Sequence, residues 1–349
     1  MNERPMIQTT DKIALYMEGH VGTPNGKMGY GVLRYSPNKV VCAVDSTKAG
    51  SDMTREVGIP GECPVVGTVD EARALGANVL VLGVANSGGF IPADWYAHLD
   101  RAVELGFCLV NGLHDKVTPR YAGKLKANQW TWDVREEPKN LGIGTGAARL
   151  LPNKRVLFVG TDMAIGKMTA ALEMWKACTQ RGKRAEFIAT GQTGITIRGR
   201  GIPLDAIRVD YATAAVEKEI MAAKDADFVF VEGQGALGHP GSTSTLPLMR
   251  GSCPTHLVLC HRAGQTTLKN LADVKIPEFK RYAELYRDVA EAAGVFARPD
   301  LLGGCLNTAH IKDDAEARRA VEEFGAALGA PATDPVRFGV DNLVDLLIR

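Results

Sequence analysis

The chain has 349 residues, long for a single hydrophobic core, so two domains are expected. Hydrophobic content of 45% and charged content of 23% are ordinary for a folded protein, and a formal net charge of +1 gives no electrostatic reason for a nucleic-acid or membrane partner. No apolar run approaches a membrane span, Met1 to Asp11 lacks a signal-peptide core, and the seven cysteines show no short paired spacing, so a cytoplasmic protein without a metal knuckle or disulfide framework is expected.

Lys12 to Glu18 reads as a first strand, followed by the glycine-rich Gly19 to Gly29, which could open a helix. Lys39 to Val44 is a second strand ending at Asp45-Ser46. An acidic residue there can bond a ribose hydroxyl, but the glycine spacing does not match that fingerprint, and a turn or helix cap is the better reading. Val69 to Leu75 is helical. Asn78 to Val84 is almost continuously apolar, as in a parallel strand covered on both faces, and Asn86-Ser87-Gly88-Gly89 lies at its carboxyl end. Ala93 to Leu105 is an amphipathic helix and Phe107 to Val110 a strand. Asn111 to Asp115 follows, where His114 could cap a helix or meet a substrate. Trp130 and Trp132 have strand spacing and suit packing. Regular structure is interrupted between Arg135 and Asn153, which separates a domain over 1–140 from one over 150–349.

The second half opens on Lys154 to Gly160, a short apolar strand, then a loop held by Gly160 and Gly166, then Lys167 and a helix over Ala170 to Gln180. That order builds a phosphate cradle: successive backbone N–H groups, the positive end of a helix and a lysine converge on one anion. Gly160, Thr161, Asp162, Ile165, Gly166, Lys167, Met168 and Thr169 are the candidate cofactor-binding residues. Two features depart from the usual loop. Five residues rather than four separate the glycines, and Met168 stands where a hydroxyl normally holds magnesium. A thioether is a poor ligand for a hard cation. Gly26-Lys27-Met28 echoes Gly166-Lys167-Met168 but is too short to establish duplication.

Ala185 to Ala189 is the next strand, and Thr190 to Gly194 reads as a turn too rich in glycine for plain helix. Gln192, and Arg198 in Arg198-Gly199-Arg200-Gly201, are candidates for contact with an anionic substrate. Tyr211 to Ala223 is helical. Ala226 to Val231 is a strand ending at Glu232, which could hold magnesium or act as a base, and His239 follows in the same glycine-rich loop. Thr255 to Cys260 is a strand with His261-Arg262 at its end, and Ile276 to Ala293 is a helix. Leu301 to Leu306 is a strand closing on Asn307, which could read an adenine edge. Asp314 to Leu328 is helical. Ala332 to Gly339 is a tight segment before a final helix, and its Arg337 could grip a phosphate or carboxylate, or pair with a neighbouring acid.

Gly160-Thr161-Asp162, three more residues and Gly166-Lys167, together with Val231-Glu232-Gly233, resemble the dethiobiotin synthetase group of P-loop enzymes. Over its whole length the chain is more similar to a family long catalogued as a domain of unknown function, some of whose members are D-glutamate N-acetyltransferases. The matching stretches include Tyr16 to Arg34, Val44 to Ser46, Ser87 to Gly89, Gly112 to Asp115, Gly160 to Thr169, Thr190 to Gly194, Glu232 to His239 and Asp334 to Gly339. The resemblance implies an α/β protein of two parallel-sheet domains, Rossmann-like at the N-terminus and P-loop NTPase-like at the C-terminus. It also implies transfer of an acetyl group from acetyl-CoA to the amine of D-glutamate. A homodimer or larger homo-oligomer with no nucleic-acid or membrane partner is expected.

Acyl transfer from a thioester needs no magnesium clamp, so Met168 is tolerable and no metal is required. Glu232 or His239 would take the amine proton, and backbone N–H groups of Gly233 to Gly238 would steady the oxyanion. Arg198, Arg262, Arg337 and Gln192 are the candidates for the dicarboxylate acceptor. Two alternatives stay open: a ligase or kinase using ATP and magnesium, and a protein that senses a nucleotide or CoA ester without turnover.

Overall fold

The structure, a computed structural model, describes residues 7–86 and 88–349. Met1 to Met6 of the expected N-terminal tail, and Ser87 of the Asn86-Ser87-Gly88-Gly89 stretch, lie outside the described residues. The chain forms two compact units. One is Met1–Glu136 with Gln192–Ala206, the other Glu137–Gly191 with Ile207–Arg349.

The first unit contains β1 (Lys12–Tyr16), α1 (Lys27–Tyr35), β2 (Lys39–Val44), α2 (Met53–Val57), β3 (Val65–Val66), α3 (Val69–Ala74), β4 (Val79–Leu82), α4 (Trp95–Glu104), β5 (Cys108–Asn111), α5 (Thr118–Tyr121) and β6 (Thr131–Asp133). Its strands pair in parallel in the order β3-β2-β1-β4-β5-β6. That is the strand order of the dinucleotide-binding fold. β4 is buried at every residue, as its unbroken apolar run requires of a strand covered on both faces. The glycine-rich segment after β1 does open a helix, α1. Asp45 is fully buried, and its carboxylate accepts N–H bonds from His20, Val21 and Thr47 and the Thr47 hydroxyl. It therefore closes a turn, and the ribose role has no support. His114 caps no helix; its ring nitrogen faces the Arg135 guanidinium at 2.5 Å, and burial followed by that charge lowers its pKa. Trp132 is buried packing, as expected.

The second unit contains β7 (Lys154–Gly160), α6 (Lys167–Gln180) and β8 (Ala185–Ile188). After α7 (Gln192–Arg198) the chain continues with α8 (Val209–Ala222), β9 (Phe228–Val231), α9 (Thr245–Ser252) and β10 (His256–Arg262). The hairpin β11 (Thr267–Leu268) and β12 (Leu271–Lys275) follows, then α10 (Phe279–Glu291), β13 (Asp300–Asn307), α11 (Asp314–Leu328), β14 (Ala332–Thr333) and α12 (Asp341–Ile348). The main sheet is parallel throughout, in the order β14-β13-β10-β7-β9-β8.

α7 corrects the sequence reading twice. Residues 192–198 are helical despite Gly194, and they belong to the first unit, where they pack on α1. A helical glycine costs about 1 kcal/mol relative to alanine. Here Gly194, Ile195, Thr196 and Ile197 are all buried, and the Thr196 hydroxyl donates to the Gln192 carbonyl at 2.8 Å, so packing outweighs propensity.

Candidate functional site

In the second unit, chemistry-bearing residues gather where open α/β sheets bind ligands, at the carboxyl ends of adjacent strands. β7 ends at Gly160, β9 is followed by Glu232, β10 ends at Arg262 and β13 at Asn307. Parallel pairing sets Arg262 opposite Asn307, and Cys260 opposite both Gly160 and Cys305.

The loop from Gly160 to Gly166 is wound by two left-handed residues, Ala164 at φ 54° and Gly166 at φ 112°. An alanine in that region stores strain of order 1 kcal/mol, the kind concentrated at ligand clamps. α6 then begins without any side chain capping its N-terminus and without an acid in its first turn. Uncapped N–H groups and the positive end of a 14-residue helix suit an anion. Lys167 is buried, and its ammonium donates to the Asp162 carbonyl at 2.7 Å. Burial pushes its pKa down from the ordinary 10.5 to about 8, against the opposing pull of Cys260, Asp162 and Glu232. Met168 and Thr169 are half-buried in the first turn of α6.

Not every loop side chain faces a ligand. The Thr161 hydroxyl is buried against His261 Nδ1 at 2.8 Å. His261 is stacked on Phe324 and touches Phe279, and desolvation lowers its pKa to about 4, so it is neutral. Asp162 turns its carboxylate into the structure. Oδ1 accepts from Met163 N–H at 2.6 Å, and Oδ2 from the Gln265 amide at 2.6 Å and Lys269 N–H at 2.7 Å. Asp162 thus ties the β11–β12 hairpin to the loop. Asn307 lies beside the loop as well, with its amide nitrogen 3.5 Å from the Ile165 carbonyl and its Oδ1 accepting from Ala309 N–H at 3.0 Å.

Glu232 is buried at the end of β9. Its Oε2 accepts from the N–H groups of Thr190 (2.8 Å) and Gly191 (3.2 Å), and its Oε1 is 3.3 Å from the Gln234 amide. His239 presents Nε2 toward Asp162 Oδ1 at 3.9 Å, while Nδ1 accepts from Gly241 N–H at 3.1 Å. With Nδ1 accepting, Nε2 is the nitrogen left to donate. His239 therefore turns Nε2 toward the phosphate loop.

The glycine loop after β9 also differs from expectation. Three of its proposed oxyanion donors are already engaged: Ala236 N–H with the Ser242 hydroxyl (3.2 Å), Leu237 N–H with Tyr286 (3.0 Å) and Gly238 N–H with Tyr282 (2.6 Å). Tyr286, its pKa raised by burial, donates in turn to the Gly160 carbonyl at 2.6 Å. The Tyr286 hydroxyl so fastens this loop to the phosphate loop, a link between residues too distant in sequence to be read from it. Gly233 is required by close approach, since a Cβ there would lie 1.6 Å from the Phe158 carbonyl oxygen. Gly233→Ala is expected to lose at least about 3 kcal/mol of stability by overpacking, measured as a fall in the urea midpoint; an unchanged midpoint would contradict the geometry.

The candidate acceptor-binding residues have different surroundings within their own units. Arg337 is spent on structure: it pairs with Asp314 at 2.5 Å and donates to the Ile311 and Lys312 carbonyls, so of its two readings the ion pair is the one observed, with Asp314 rather than Asp334. Gln192 and Arg198 lie on α7 in the first unit. Arg262, exposed, lines a cleft of about 600 Å³ bounded by Met163 to Ile165 of the loop and by the hairpin. No helix among the described residues is long and apolar enough to cross a membrane, and no cluster of three metal-ligating side chains occurs among them.

Residues 142–344 match a family described as a domain of unknown function, DUF1611_C, P-loop domain, and residues 46–137 match its companion DUF1611_N, Rossmann-like domain. A D-glutamate N-acetyltransferase of Tritonibacter scottomollicae is 38% identical over 284 residues, covering 80% of this chain and 84% of that one. A D-glutamate N-acetyltransferase of a Pseudoalteromonas species is 34% identical over 283 residues, covering 79% and 83%. The crystal structure of a DUF1611 family protein from Anabaena variabilis superposes with a TM-score of 0.93 at 45% identity, covering 97% of this chain and 99% of that chain.

Proposed function

The chain belongs to the DUF1611 family, and from that premise we propose that it is an acyltransferase that moves the acetyl group of acetyl-CoA to the amine of D-glutamate. Relatives bearing that name span four-fifths of the chain, which supports the reaction class and the acceptor. The single observation that carries the donor is the loop before α6. An uncapped helix start and a buried lysine make a diphosphate site, and Met168 occupies the position at which a nucleotide-cleaving enzyme would hold magnesium.

In this reading Lys167 and the N–H groups opening α6 hold the diphosphate of CoA. The acceptor nitrogen attacks the thioester carbonyl, a C–N bond forms as the C–S bond breaks, and the CoA sulfur leaves as thiolate and takes up a proton. The nitrogen becomes acidic as the new bond forms, and Glu232 receives its proton. The Nε2–H of His239 is available to the oxyanion, replacing the loop amides that the tyrosines occupy.

Thiol release from acetyl-CoA that depends on D-glutamate, followed with a thiol reagent, tests the assignment. ADP formed stoichiometrically with ATP and magnesium would overturn it in favour of a ligase or kinase, and binding of acetyl-CoA without thiol release would leave a sensor. Met168→Ser is expected to leave acetyl transfer within about twofold of the parent, because no metal is held there. A large magnesium-dependent gain in that variant's turnover would count against the scheme.

A further inference from the structure

The cleft beside the phosphate loop has a composition that the diphosphate site does not explain. Its floor is apolar, formed by the buried Ile165, Ala263 and Leu268 with the exposed Met163 beside them, and two exposed cations line it, Arg262 at the end of β10 and Lys269 at the tip of the β11–β12 hairpin. Several arginines of this unit are tied up in ion pairs, Arg337 with Asp314 and Arg298 with three carboxylates among them. Among the described residues, neither Arg262 nor Lys269 has a carboxylate within ion-pair distance. The hairpin that carries Lys269 is also held in place: Asp162 receives the Lys269 N–H and the Gln265 amide, and Asn270 takes the left-handed turn position (φ 67°), which asparagine tolerates better than most residues. A volume of about 600 Å³ is enough for a nucleoside.

We propose that this cleft receives the 3′-phosphorylated ribose of the acyl carrier, with Arg262 and Lys269 gripping the 3′-phosphate. The inference rests on the acetyl-CoA reading above and reassigns Arg262 from the acceptor to the donor. A nucleoside whose diphosphate is anchored at the start of α6 has its ribose within a few ångströms of that anchor, and the cleft opens at the same loop residues, Met163 to Ile165. The 3′-phosphate is the group that distinguishes CoA from ATP and from dephospho-CoA. It brings about two negative charges, which an apolar floor alone could not accommodate and which two unpartnered cations can. Arg262 and Lys269 then set donor specificity without touching the thioester.

The test compares acetyl-CoA with acetyl-dephospho-CoA as donors, at fixed D-glutamate, for the wild type, Arg262→Ala, Lys269→Ala and Arg262→Lys. In the wild type, KM for the dephospho donor is expected to be higher by at least about tenfold, with kcat little changed. Each alanine variant is expected to raise KM for acetyl-CoA about five- to tenfold while leaving the dephospho donor within about twofold, and Arg262→Lys to recover part of the loss. Equal use of both donors by the wild type would overturn the proposal while leaving the acetyltransferase intact, and this comparison needs no variant to fold. KM values for the two donors that rise together in the alanine variants would overturn it too. A wild type that releases no thiol from acetyl-CoA would remove the function and this inference together.

Discussion

Lys167→Met is expected to give a protein that is more stable without ligand and that no longer holds acetyl-CoA, the proposed donor, well. The native lysine is buried, and desolvation lowers its pKa from 10.5 to about 8. Below pH 8 the folded and unfolded states both carry the proton, so the full cost of burying the charge is present. As pH rises from 8 to 10.5 the folded state releases the proton first, and the cost is progressively relieved. Removing the charge at pH 7 therefore recovers up to roughly 3 kcal/mol, seen as a higher melting temperature of the free protein. The same substitution removes a charge-assisted bond to phosphate worth about 1.5–3 kcal/mol, which weakens CoA by roughly ten- to 150-fold. Wild-type affinity for CoA is expected to fall above pH 8, by no more than about tenfold per pH unit, whereas the variant's is flat over that range. Calorimetric titration between pH 6.5 and 9.5 reads both effects. A methionine variant that binds CoA as the parent does would remove Lys167 from the site.

Glu232→Gln separates chemistry from architecture at the second position. The carboxylate accepts two buried backbone N–H groups through Oε2 and meets the Gln234 amide through Oε1. A glutamine has one carbonyl oxygen for the two N–H groups, so the fold is expected to survive with a melting temperature close to the parent's. The proposed base is gone, and kcat is expected to fall about 10²–10⁴-fold with acetyl-CoA affinity nearly unchanged. Glu232→Ala is different. It orphans the Thr190 and Gly191 N–H groups, at a cost of about 1–3 kcal/mol each, so stability and turnover fall together. If the glutamine variant turned over at the parent's rate, the base would have to be sought elsewhere.

What was legible in the sequence was local. A buried strand, a glycine loop and an amphipathic helix follow one another in β7, the Gly160–Gly166 loop and α6, and each has a pattern of its own. The parallel first sheet was announced by unbroken apolar runs such as Val79–Leu82, and Glu232 by its place after Phe228–Val231. What escaped depended on partners far away in the chain. Asp162 belongs to the phosphate loop by position, yet its carboxylate serves Gln265 and Lys269, more than a hundred residues on. The N–H groups of Leu237 and Gly238 looked available because nothing nearby in sequence could occupy them; Tyr286 and Tyr282 do. Arg337 could be read either as a ligand grip or as an ion pair, and the acid that decides it, Asp314, lies 23 residues away. The hairpin at 267–275 carries no strong alternation, and it is held from outside by Asp162.

The membership of Gln192–Ala206 in the first unit has a consequence for biogenesis. Translation runs from the N-terminus, and Met1–Glu136 emerges with all five parallel pairings of its six-stranded sheet specified but without α7, the helix that packs on α1. That nascent segment keeps an apolar helical face bare until the ribosome has delivered β7, α6, β8 and finally residue 206. Domain-by-domain folding during synthesis, the usual route for a chain of this size, is thus postponed here, and the exposed intermediate is the kind that chaperones bind.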